Sequence, residues 1–182
     1  DTVEKGEHIA KTKEPWKKMF FEEYNLYEAG DLEYHECRIP ASLTTIHATM
    51  LAFNEARKFA GSDSDQIDRF LRRSFDGGKR FDEVLIVTTQ DGWVCGNPAP
   101  VQDRSTGTIW LFFCKNRLDG GEETISKGEA PRTVWVTHSD DDGATWSEPE
   151  ELTASVKLAD WSWYATGPCH GIQLRSGRLV IP

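Results

Sequence analysis

Two copies of one short pattern constrain this chain more than anything else in it. Ser74-Phe75-Asp76-Gly77-Gly78-Lys79-Arg80-Phe81 and Ser139-Asp140-Asp141-Asp142-Gly143-Ala144-Thr145-Trp146 both fit Ser-x-Asp-x-Gly-x-x-aromatic, 65 residues apart (139 minus 74). A signature that returns at a fixed period marks a repeat architecture. Its chemistry is that of a turn. A short Asp side chain accepts hydrogen bonds from backbone N–H groups a few residues on, and Gly supplies the positive φ of a tight reversal. Ser adds a second small capping group, and the aromatic ring pins the loop to the domain. Calcium is the rival reading for "SDDDG", because neighbouring carboxylates resemble oxygen ligands. Only Asp141 has a counterpart in the other copy, Asp76, so the turn is preferred and no metal is expected.

Around these turns, short β-like runs alternate with breakers, and no long amphipathic helical stretch is present. Expected strands are Lys18–Tyr27, Met50–Glu55, Phe70–Ser74, Val84–Thr88, Thr108–Cys114, Thr133–Ser139, His170–Leu174 and Leu179–Ile181. Weaker helical possibilities lie at Asp63 to Asp68 and at Glu150 to Ala159. The chain reads as all-β. Strands so spaced build a sandwich or a propeller, and a turn repeated about one four-stranded sheet apart favours propeller blades. The strands suffice for two to three blades, fewer than a closed ring needs.

Composition removes several classes of function. At a formal charge of −9, the 182-residue chain is a poor binder of nucleic acid. No apolar run reaches the length of a membrane span. The opening "DTVEKGEHIAKTKEPW" is polar and shows no signal peptide, as in a mature chain; a secreted or periplasmic setting is favoured and the compartment stays open. Cys37, Cys95, Cys114 and Cys169 lack the spacing of a zinc site and are expected to be buried free thiols, with one bridged pair as the alternative.

Five stretches give a sharper reading: "LYEAGDLEYHECRIPASL", "MLAFNEARKFAGSDSDQIDRFLRRSFDGGKRF", "GNPAPVQDRSTGTIWLFF", "VWVTHSDDDGATWS" and "WYATGPCHGIQLRSGRLVIP". Arg-Ile-Pro, then Glu-Ala-Arg, then Ser-Asp, followed by the aspartate turn, resembles the exo-α-sialidases (neuraminidases), whose BNR repeats or Asp-boxes are such turns. The resemblance runs from about Leu26 to Pro182. It implies a six-bladed β-propeller, of which residues 26–182 supply roughly the first two to three blades. Residues 1–25 would be an N-terminal extension with a possible ring-closing strand.

The resemblance also implies a substrate, a terminal α-linked sialic acid on a glycoconjugate, and no cofactor. A sugar carboxylate calls for a preorganised cation, and Arg offers a planar fork that grips it bidentately. Arg38 of "RIP" matches the first member of the family's arginine clamp. Arg57 resembles a second pocket arginine, with a pairing to Glu55 or Asp63 as the plainer alternative. The acid/base falls on the loop after Arg57, where Asp63 matches best and Asp65 and Asp68 lie close behind. Asn97 matches a polar residue reaching the sugar from the next blade, although it is also a fitting turn residue before Pro98. Trp161, Trp163 and Tyr164 fall where relatives line the pocket wall, with a core role the equal alternative, and His170 reads as structural.

Sialidases use a tyrosine nucleophile rather than a second carboxylate. The anomeric carbon carries a carboxylate, which would repel an anionic nucleophile; a neutral Tyr deprotonated by a neighbouring Glu avoids that. In the family this pair and the other clamp arginines come from the second half of the ring, so the chain alone is expected to be inactive, and a second chain could complete it. A non-catalytic carbohydrate-binding propeller, or a propeller hydrolase for another acidic sugar, are the alternatives. The first would need neither "RIP" nor the Asp63 loop.

Overall fold

The computed structural model describes residues 22–182, and its regular structure is almost entirely antiparallel sheet. Strands β1 (Glu36–Thr44), β2 (Met50–Arg57), β3 (Ile67–Ser74) and β4 (Leu85–Thr88) pair in sequence order into one four-stranded unit. Strands β5 (Trp93–Gln102), β6 (Ile109–Arg117), β7 (Thr133–Ser139) and β8 (Glu150–Glu151) repeat the arrangement. A short hairpin of β9 (Ile172–Gln173) and β10 (Leu179–Val180) follows. Two small helices, α1 (Glu122–Ser126) and α2 (Thr153–Val156), sit in the connections. The two four-stranded units share one hydrogen-bonded link, the parallel pair Ile67↔Val94. Because β4 and β5 both meet the same edge of β3, the sheet splits there into two blades.

Blade packing explains the hydrophobic pattern. Along β2 and β3, Leu51, Phe53 and Leu71 face the second blade, where they meet Ile109 and Leu111 of β6. The alternate residues Ala56 and Phe70 face the other way and are covered by Tyr27 and Tyr34. Both faces of this blade are therefore buried, so its strands show no strict apolar–polar alternation, and polar residues such as Asn54 and Arg69 are buried among the apolar ones.

The structure differs from the expected strands at informative places. The strands over 50–55, 70–74, 84–88 and 108–114 are present with shifted ends, and that over 133–139 coincides with β7. Of the expected strand Lys18–Tyr27, residues 18–21 lie outside the described residues and 22–27 form none. Asp63 to Asp68 is a turn leading into β3, not a helix, and Glu150 to Ala159 holds a two-residue strand before the four-residue α2. Strands β1 and β5 were not expected at all. Both carry internal prolines, which normally argue against a paired strand. The prolines are accommodated because each strand bulges at that point. Arg38↔Glu55 is followed by Ala41↔Phe53, three residues against two, and Gly96↔Cys114 is followed by Ala99↔Phe112 in the same way. The extra residue precedes the proline in each case and has positive φ: 53° at Ile39 and 58° at Asn97.

The repeated turns occupy equivalent places, each joining the third strand of its blade to the fourth. In the first, Ser74 Oγ donates to Asp76 Oδ1 (2.9 Å) and accepts from Gly78 N (2.9 Å), while Asp76 Oδ1 accepts from Lys79 N and Arg80 N, both at 3.0 Å. In the second, Ser139 Oγ donates to Asp141 Oδ1 (2.8 Å) and accepts from Gly143 N (2.9 Å), and Thr145 N reaches Asp141 Oδ1 at 2.8 Å. Gly78 and Gly143 have φ of 87° and 82°, which a side chain would strain. The flanking aspartates of "SDDDG" have protein partners of their own, Thr108 Oγ1 for Asp140 (2.7 Å) and Thr49 Oγ1 for Asp142. Trp146 closes the second turn by packing edge-on against Phe53, with ring centroids 5.8 Å apart.

Of the cysteines, Cys95 and Cys114 are buried as expected. Cys37 is half-buried and Cys169 exposed, which corrects the uniform expectation; all four are free thiols.

Candidate active site

Strand register fixes where the chemistry collects. In the first blade β1 begins, β2 ends and β3 begins at one rim, whereas the Asp-box turns leave β3 and β7 at the opposite rim. At the first rim Arg38 is the third residue of β1, Glu55 and Arg57 lie at the end of β2, and Asp63 sits in the loop between β2 and β3. Gly96 and Asn97 come from the bulge of β5, Arg132 from the approach to β7, and Trp163 from the segment beyond α2. Together they line a cavity of about 240 Å³.

Glu55 and Arg57 are two apart on a strand and so share a face. Arg57 is 1% exposed, and its Nη2 lies 3.2 Å from Glu55 Oε2 and 2.7 Å from Asp63 Oδ1. Its Nη1 donates to Gly61 O at 2.7 Å. A buried guanidinium needs such partners, since an unpaired one is strongly destabilising. Asp63 itself is 76% exposed and lies 3.8 Å from Arg38 Nη1, whose side chain is about half exposed. One carboxylate thus spans two guanidiniums at the cavity mouth.

The neighbouring acids are occupied elsewhere. Asp65 is buried, and its Oδ2 accepts from Phe59 N (2.8 Å), Ala60 N (2.6 Å) and Gly61 N (3.2 Å), which folds the loop that presents Asp63. Asp68 is buried on β3 and accepts from the Tyr34 hydroxyl; burial and this bond push the Tyr34 phenol above its ordinary range. Neither Asp65 nor Asp68 lines the cavity. Gly61, at φ 68°, is the hinge of the loop, and a Cβ there would meet Glu36 Oε1 at 2.6 Å.

The second blade supplies the far wall. The β5 bulge turns Asn97 so that its N–H donates to Glu55 Oε1 at 2.7 Å and its Oδ1 accepts from Arg132. Arg132 is buried, a residue that sequence reasoning missed. It donates to Asn116 Oδ1 and to Tyr164 O (2.7 Å), and its guanidinium lies 4.4 Å from the Trp163 ring centroid. A lone arginine in "APRTVW" carries no local signal; only the fold brings it to Asn97. Tyr164 is placed differently from Trp163. It offers its carbonyl to Arg132 while its ring stacks on Trp161, centroids 5.9 Å apart. Ile39, a β-branched residue at φ 53°, lines the cavity from the β1 bulge. Such backbone strain costs about 1–3 kcal/mol and persists where a site requires it.

A family model described as a BNR repeat-like domain matches residues 49–182. The chain belongs to the BNR-repeat sialidase family. An exo-alpha-sialidase of Aspergillus fumigatus is 32% identical over 168 residues, covering 82% of this chain and 41% of its own. Sialidase-3 of Bos taurus is 35% identical over 166 residues, covering 86% and 39%. The chain thus spans about two-fifths of the length of these curated relatives. Among solved structures, a Hadza microbial sialidase, Hz136, superposes with a TM-score of 0.79 at 29% identity over 87% of this chain and 34% of that one. The NanB sialidase of Streptococcus pneumoniae, at 13% identity, shares the fold with a TM-score of 0.70 over 94% of this chain and 44% of its own. The two blades and the following hairpin therefore have the fold of a sialidase β-propeller, and both repeated turns lie within the matched BNR repeat-like domain.

Proposed function

We propose that this chain contributes the acid/base half of a retaining exo-α-sialidase acting on terminal α-linked sialic acid of glycoconjugates. The observation that carries the reading is the exposed Asp63 carboxylate, held 2.7 Å from the buried Arg57 and 3.8 Å from the half-exposed Arg38 at the mouth of a cavity. The relatives' name, exo-alpha-sialidase, supports the reaction class.

In this mechanism the substrate carboxylate takes Arg38 in a planar, charge-assisted fork. Arg38 is the available cation because Arg57 is committed to Glu55, Gly61 and Asp63. Asp63 then donates a proton to the departing glycosidic oxygen and recovers one from water in the second step. Asn97 and Trp163 bound the ring on the second-blade side. The protein's net charge of −9 gives an anionic sugar no long-range steering, so attraction is local to the arginines. Retention requires the family's tyrosine nucleophile. None of this chain's four tyrosines serves, since Tyr27 binds Ala52 O, Tyr34 binds Asp68, Tyr24 binds Gly78 O and Tyr164 stacks on Trp161. The nucleophile, its glutamate and further clamp arginines belong to residues outside this chain.

Leaving-group dependence tests the assignment in the assembled propeller. Asp63→Asn is expected to lower turnover of a sialyl-oligosaccharide by about 10²–10⁴-fold, and that of an aryl sialoside with a good leaving group far less. Equal losses on both substrates would remove Asp63 from the acid role. A wild-type protein that hydrolyses neither would remove the function.

A further inference from the structure

Beside the active-site cavity lies a second one, of about 410 Å³, lined among others by Glu129, Pro131, Lys157, Asp160, Trp161 and Ser162. The two cavities are back to back. Pro131 and Ser162 line one while their chain neighbours Arg132 and Trp163 line the other, so the wall between them is one residue thick along the chain. The wall is built, not incidental. Lys157 Nζ donates to Arg132 O and to Ser162 O, both at 2.8 Å, and Ser162 Oγ donates to Ser126 O at 3.1 Å. Two segments distant in sequence are thereby locked together along the cavity floor. With its ammonium turned into these carbonyls, Lys157 is partly desolvated, which lowers its pKa.

On the rim stands Trp161. One face of the indole stacks on Tyr164 at an interplanar angle of 28°, yet the residue remains 47% exposed. An aromatic ring backed by another and left open on its second face is a rigid, low-entropy platform. Asp160 and Glu129, both exposed, flank it as hydrogen-bond acceptors. An apolar face bordered by acceptors matches a pyranose, whose C–H face stacks on the ring while its hydroxyls donate to the carboxylates. The same carboxylates disfavour an anionic sugar.

We infer that this cavity is a subsite for neutral sugar residues, with Trp161 as its stacking platform and Asp160 and Glu129 as hydroxyl acceptors. The inference deepens the sialidase reading and rests on it for the occupant's identity, the neutral part of the glycan that departs when the terminal sugar is released. It confers a preference for oligosaccharide aglycones over short ones, and for neutral over sialylated penultimate residues.

The test has two arms with separate modes of failure. In the first, the chain is titrated with lactose at millimolar concentrations, read by saturation-transfer NMR and tryptophan fluorescence. Saturable binding is expected, weakened about tenfold by Trp161→Ala and by less in Trp161→Phe and Asp160→Asn, with Arg38→Met binding as wild type does. No saturable binding by the wild type, or binding unchanged in Trp161→Phe, Asp160→Asn and Trp161→Ala alike, overturns the proposal. Binding that survives Trp161→Ala but is lost in Trp163→Ala places the sugar in the first cavity and overturns it too. In the second arm, the assembled enzyme's kcat/KM should fall about tenfold in Trp161→Ala for a sialyl-lactose and stay unchanged for methyl sialoside. Equal falls on both substrates, with a lowered Tm, make Trp161 a packing residue only. If the wild type cleaves neither substrate, the sialidase reading fails while the lactose arm still decides the subsite.

Discussion

The two rims of the blades use the same residue types in opposite ways. At the Asp-box rim, Asp76 and Asp141 each take hydrogen bonds from groups within four residues, so each turn is closed by its own residues. At the opposite rim, Asp63 meets Arg57 and Arg38 from two strands, while Glu55 takes Arg57 from its own strand and Asn97 from another blade. The Asp-box carboxylates are satisfied locally and identify no chemistry. The rim carboxylates add partners from far along the chain, Arg38 for Asp63 and Asn97 N for Glu55, and Asp63 is left three-quarters exposed. A locally closed motif therefore carries architecture, whereas an open, non-local cluster leaves charged groups free to meet a ligand.

The largest effect that sharpens this contrast is expected at Glu55. Its removal as an anion leaves Arg57 buried with only the exposed Asp63 as a charged partner, so Glu55→Gln should cost about 3 kcal/mol in urea unfolding. It should also loosen the Asn97 bulge, seen as a rise in KM. A loss no greater than that of a surface substitution would mean that the two rims are not built differently. Smaller is the effect of Ser139→Ala, which deletes the acceptor for Gly143 N and the donor to Asp141 at a fully buried position. About 1 kcal/mol of stability should be lost, with turnover per folded molecule unchanged. A changed KM there would join the two rims energetically.

The smallest effect is one of pH. Hydrogen bonds, the backbone N–H of Arg80 foremost, hold Asp76 below the ordinary carboxylate range. At Asp141, burial acts to raise the pKa but is outweighed by the hydroxyl and amide of Thr145 and the hydroxyl of Ser139, so the net shift is again downward. A depressed folded-state pKa stabilises the protein above the unfolded value, and the contribution is lost as pH falls through the folded one. Tm should therefore drop on acidification below about pH 4. An Asp76→Asn, Asp141→Asn double variant should show a shallower drop; an equally steep one would put the acid-sensitive groups elsewhere.

Legibility in the sequence followed the same division. Both Asp-boxes could be read because the Ser and Asp bonds that close each turn lie within one eight-residue window. Arg38, Arg57 and Asp63 were reached through motif resemblance, which preferred Asp63 to Asp65 and Asp68, and the structure places the three around one cavity. Asp63, Asp65 and Asp68 are all carboxylates within six residues, and only the folded loop turns Asp65 inward onto three amides and Asp68 onto Tyr34. Strands β1 and β5 were missed because their prolines argue against pairing. The bulges that accommodate those prolines are the devices that bring Arg38, Ile39 and Asn97 to the cavity.

By itself, the sequence determined the all-β class, the blade repeat and the turn chemistry, because these follow from short-range steric and hydrogen-bonding preferences. Tertiary structure alone decided which acid is exposed, that Arg132 braces Asn97, and that Trp161 stands over a second cavity. Those facts depend on burial and on contacts between segments up to about a hundred residues apart, and local composition carries no record of either.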